Sequence, residues 1–145
     1  MTSRTKKIFH ASNALICGGG VLYGMVKWAL PRPESEFGTA IHPLEPMLKS
    51  AHVLMAPALV FALGWIWRAH VSSQLRHRAR KNRTSGLALV ALAAPMVFSG
   101  VFFQVTVNEQ LRNFWSQVHL WSSGIWIVGS ILHLYGARAT QPYKK

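Results

Sequence analysis

The chain has 145 residues, half of them apolar, with 16 basic side chains against 4 acidic ones, a formal charge of +12 and no aspartate. That length fits one domain, and a charged fraction of 14%, against about 25% in ordinary soluble domains, with a mean hydropathy of +0.20, argues against a soluble acid/base enzyme. Six Trp, seven Phe and long apolar runs exclude a disordered basic tail. The single cysteine, Cys17, excludes an internal disulfide, and the lack of a Cys-x-x-Cys-His string excludes covalent haem attachment.

Four stretches are each long enough to cross a hydrocarbon layer of about 30 Å, which takes about 20 helical residues. They run from about Ile8 to Leu30, Met47 to Ala69, Gly86 to Val107 and Asn113 to Gly136. The fold predicted is all-α, an integral membrane four-helix bundle. Strand periodicity is absent, and an open sheet could not satisfy its backbone in lipid. Before the first span, Arg4, Lys6 and Lys7 resemble the start of a secretory signal. The apolar run is longer than a signal core, however, carries Lys27 near its far end and has no small-x-small cleavage site before Pro31-Arg32-Pro33, so it reads as a retained helix.

Charge between the spans sets orientation, because short cytoplasmic segments accumulate Lys and Arg. Residues 1–7, the loop carrying Arg68, Arg76, Arg78, Arg80, Lys81 and Arg83, and the tail with Arg138, Lys144 and Lys145 together hold twelve bases and no acid. On the other side Lys27, Arg32, Lys49 and Arg112 are balanced by Glu34, Glu36, Glu45 and Glu109. Both termini are therefore expected in the cytoplasm. The basic loop reads as a topology signal that also touches anionic membrane lipid. It lacks interleaved stacking aromatics, so no nucleic-acid partner is expected.

Ionisable residues inside a span are costly and are functional candidates. Here they are histidines: His10 on the first span, His52 and His70 on the second, His119 and His133 on the fourth, with His42 and His77 read as solvated loop residues. His119 and His133 are 14 residues apart, about 21 Å along a helix and about 40° short of four full turns, so both share a face. That is the geometry needed to hold two stacked cofactors, each with a second ligand from another helix at matching depth. Counting from Lys49 and Arg112 pairs His52 with His119 in the outer layer. In the inner layer His10, three residues inside Lys7, matches His133 better than His70 does. His70 remains the alternative, being 18 residues and thus about five whole turns from His52.

Bis-imidazole ligation of haem iron suits facing helices of a bundle, and small residues let a porphyrin approach the backbone. Gly18, Gly19, Gly20, Gly24, Gly64, Gly100, Gly124 and Gly129 supply such residues, although Gly20-x-x-x-Gly24 alone reads as helix packing. All four glutamates lie outside the spans, which disfavours a proton-coupled carrier.

This layout, with two histidines 14 apart in the string HLWSSGIWIVGSILH, one on each of the first two spans and none on the third, resembles the small di-haem b-type cytochromes that serve as membrane subunits of bacterial formate dehydrogenases and nickel-iron hydrogenases. The resemblance implies two haem b groups with iron ligands His10, His52, His119 and His133, His70 being the alternative inner ligand. It implies electron transfer between dehydrogenase or other redox protein subunits and a quinone bound near the inner haem, in the bacterial inner membrane. The chain is shorter than typical subunits of that kind, and any dehydrogenase chemistry would come from its partners.

Overall fold

A computed structural model describes residues 3–36, 38–76 and 83–139. His77, Arg78, Arg80, Lys81, Lys144 and Lys145 lie outside the described residues. In chain order the elements are α1 (Ser3–Trp28), β1 (Glu34–Ser35), β2 (Gly38–Thr39), α2 (Leu44–Ile66), a π-helical turn (Trp67–Val71), α3 (Ser72–Arg76), α4 (Arg83–Val105) and α5 (Glu109–Ala139). The architecture is helical as expected. It departs from expectation in the outer loop, where Glu34 pairs with Thr39 and Ser35 with Gly38 in a two-residue antiparallel ladder. A ladder this short has no periodicity to read. Gly38, at φ 107°, takes a backbone conformation that side chains disfavour and so closes the turn.

The helices begin and end where local chemistry allows. At the end of α1 the Ala29 and Leu30 amides both donate to the Met25 carbonyl, at 2.8 and 3.2 Å. The Arg32 guanidinium donates to the Lys27 carbonyl at 3.2 Å, and Pro31 and Pro33 prevent continuation. Helix α2 starts just after Pro43, with Glu45 in its first turn, where a carboxylate complements the positive end of the helix dipole. Its helical path continues past the expected end at Ala69, through the π turn and α3, to Arg76. Both α2 and α4 remain continuous through Pro57 and Pro95.

Three residues, Thr106 to Asn108, join α4 to α5, and so short a link makes the two helices antiparallel neighbours. Asn108 caps α5: its side-chain oxygen accepts from the Leu111 amide at 3.0 Å, and its carbonyl accepts from the Arg112 amide at 2.9 Å. This cap starts α5 four residues ahead of the expected Asn113. Replacing Asn108 with Ala is expected to cost about 1 kcal/mol of stability. The check is the thermal or denaturant midpoint of the detergent-solubilised protein.

Two units divide the chain, Met1–His70 and Val71–Lys145. In the first, α1 packs on α2, and Thr5, Val26, Leu59, Ala62 and Ile66 are buried. In the second, α4 packs on α5, and Met96, Ser99, Ser122 and Trp126 are buried. All four long helices have at least 23 residues, about 35 Å or more. Two of them, α2 and α4, are also apolar enough to cross a membrane, and only 11% of the apolar window of each is buried. Leu54 and Phe61 on α2 and Phe98 on α4 are exposed.

Candidate functional site

Three of the histidines singled out by the sequence sit against glycines of the neighbouring helix. In the first unit the His52 ring lies over Gly20 of α1: a methyl group placed on Gly20 would come within 2.9 Å of His52 Cε1, closer than side chains tolerate. In the second unit a methyl on Gly100 would meet His119 at 3.0 Å, and one on Gly86 would meet His133 at 3.3 Å. Each imidazole thus occupies room that exists because the facing residue has no side chain. By contrast, Gly18, Gly64 and Gly124 face open space, and Gly24 meets Trp28 of its own helix. Of the Gly20-x-x-x-Gly24 pattern, Gly20 thus lies in the contact with α2, against His52, whereas Gly24 meets Trp28 of α1 itself.

Both α5 histidines point at α4, as their shared face requires. His119 Nδ1 is 2.9 Å from the Met96 carbonyl and 3.4 Å from Ser99 Oγ. Ser99, fully buried, donates to the same carbonyl at 3.1 Å. A carbonyl can only accept, so His119 donates from Nδ1. His133 Nδ1 is 2.9 Å from Ser85 Oγ. These contacts fit haem ligation in a specific way: a ligating imidazole commonly holds its other ring N–H on a carbonyl or hydroxyl, which fixes tautomer and ring plane.

The serines and the Met96 carbonyl are the site residues that the sequence reading missed. A signal was present. Ser85-Gly86 and Ser99-Gly100 are 14 residues apart on α4, the same interval as His119 and His133 on α5. Between the two histidines, Trp126 is buried, while Trp121 and Trp65 are exposed. Trp115 stacks on Phe102 with ring centroids 4.8 Å apart.

The inner-ligand candidates sit differently. His10 is exposed on α1, its ring edge-on to Phe9 at 5.7 Å. His70 is half-buried within the π turn. That turn corrects the count that placed His70 on the His52 face. A π turn holds more residues than an α turn, so positions beyond Ile66 lag the straight-helix phase. Along the helices His10 lies ten residues from Gly20, the residue facing His52, and His70 lies 18 residues from His52. These are about 15 and 27 Å, bracketing the about 21 Å between His119 and His133. His42 is a loop residue as expected, its Nδ1 accepting from the Leu44 amide at 3.2 Å.

The chain matches no protein-family profile, no curated protein and no solved structure. The functional reading therefore rests on these residues alone.

Proposed function

We propose that the chain is an integral membrane di-haem cytochrome b, four helices with both termini cytoplasmic, carrying electrons between a redox partner and the quinone pool as a subunit of a larger oxidoreductase complex in a bacterial inner membrane. The observation that carries the reading is the pair of α5 histidines, 14 residues apart, each resting on a Ser-Gly step of α4 with Nδ1 on an oxygen. The length and apolar character of α2 and α4, with the exposed apolar side chains they carry, support lipid contact. The haems would supply one-electron carriage. His52 with His119 and His10 with His133 would hold them, with His70 the alternative to His10. Two imidazoles on each iron would leave no open position, which would suit electron transfer and disfavour oxygen activation.

Propionate partners would come from cations near the span ends: Lys49 and Arg112 outside, and Arg4, Lys7, Arg68 and Arg138 inside. Lys27 has its ammonium over the Tyr23 and Trp28 rings, 5.6 Å from each centroid, which favours an interfacial anchor over a propionate contact.

A second reading is favoured by the same hydrogen bonds: histidines that tie α4 to α5 in a haem-free membrane anchor. The discriminating experiment is purification in mild detergent after expression with ample haem, followed by a dithionite-reduced minus oxidised spectrum and a haem-to-protein ratio. Two b-type haems per chain is the expected result, and none would leave the anchor. Co-purification of a redox protein favours the subunit. Quinol-dependent reduction of an external acceptor by the isolated chain favours instead a free-standing reductase.

A further inference from the structure

Helix α4 has no histidine, yet it carries the same two-residue step twice. Ser85-Gly86 faces His133 and Ser99-Gly100 faces His119, so a move of 14 residues along α4 is matched by 14 residues in the opposite direction along α5. Leu89 against Gly129 falls in the same register, four residues in from each partner of the Ser85 and His133 pair. Fourteen residues are two heptads, and a seven-residue repeat keeps one seam facing its partner along antiparallel helices. The repeat therefore sets a serine hydroxyl beside each Nδ1 and a missing side chain beneath each ring.

We propose that Ser85 and Ser99 are positioning residues that fix the imidazole plane and hydrogen placement of His133 and His119, and through them the ferric-to-ferrous balance of each iron. The proposal rests on the haem reading above. An imidazole that gives Nε2 to iron keeps its hydrogen on Nδ1, so the oxygen facing Nδ1 must accept. Accepting that hydrogen makes the ring a stronger electron donor and favours ferric iron. The two sites are not equivalent. His119 has the Met96 carbonyl at 2.9 Å with Ser99 Oγ farther off at 3.4 Å, whereas His133 has Ser85 Oγ at 2.9 Å. Ser85 thus carries more of the work at its histidine than Ser99 does at the other.

The test is redox titration of the intact chain and of Ser85→Ala, Ser85→Thr and Ser99→Ala, with haem count, thermal midpoint and low-temperature electron paramagnetic resonance of the ferric haems. Ser85→Ala is expected to keep both haems and the thermal midpoint. It should favour the ferrous form of one haem by about tenfold, about 59 mV for a one-electron couple. The same haem's resonance should shift while the other haem stays fixed. Ser99→Ala should move only the other haem, and by less, and Ser85→Thr should return the wild-type values. Loss of one haem in Ser85→Ala that Ser85→Thr restores supports the same role. Two haems with unmoved potentials and spectra in Ser85→Ala overturn the positioning role alone, as does loss of that haem in Ser85→Thr too. A wild-type chain without haem overturns the haem reading and this inference with it.

Discussion

His119→Ala is expected to leave the purified chain with one haem in place of two, the largest single effect that follows from the proposed haem sites. The substitution removes the nitrogen proposed to bind iron together with a ring held by the Met96 carbonyl and seated over Gly100. Losing an outer-shell partner of a metal ligand commonly costs about 10–100-fold in affinity, and losing the ligand itself should exceed that. The space left over Gly100 has no side chain of its own to refill it, so added imidazole should restore part of the lost absorbance. Such rescue separates a missing ligand from a collapsed protein. His133→Ala should remove the other haem and leave the first, since the two rings touch different stretches of α4. An unchanged haem count in His119→Ala would end the assignment of that residue.

The four long helices were readable because each holds a long, largely apolar stretch free of strand alternation, although only α2 and α4 are apolar enough to cross a membrane. Their ends were less readable. The start of α5 is set by one capping contact from Asn108, and the path beyond Ile66 by a π turn that leaves no mark in hydropathy. That turn also shows why counting at 100° per residue served His119 and His133, which lie on one uninterrupted helix, but not His52 and His70. The Ser-Gly steps illustrate a different obstacle. Their spacing is plain in the string TSGLALVALAAPMVFSG, but it acquires meaning only when α4 is known to run antiparallel to α5 in the register that sets Ser85 against His133. The three-residue link at Thr106 to Asn108 fixes the direction, and the contacts fix the register. Neither follows from the composition of α4 alone. Glycines named as a group likewise resolved into distinct kinds, those under a histidine and those facing open space.

That division of the glycines gives the second large effect. In a helix interior Gly→Ala ordinarily stabilises by up to about 1 kcal/mol, because alanine loses less freedom on folding. Gly18→Ala and Gly124→Ala, where nothing lies within 4 Å, should follow that rule and leave haem content unchanged. Gly20→Ala and Gly100→Ala should not. Their new methyl groups would stand 2.9 Å from His52 Cε1 and 3.0 Å from His119 Cε1, and an imidazole cannot yield as the end of a flexible chain does. At Gly20 the ring must swing away or the helices must separate, at Gly100 the ring must give by a few tenths of an ångström, and either movement misaligns Nε2. Each of these two variants is therefore expected to lose most of the haem held by its histidine. If His52 and His119 serve the same iron, both variants should deplete the same spectral component. Gly86→Ala, with its contact at 3.3 Å to His133, should deplete the other component and do so less severely. Haem counts with resolved spectra for the five variants measure all of this at once. Equal haem content across the set would mean that the glycines under the histidines serve helix packing alone.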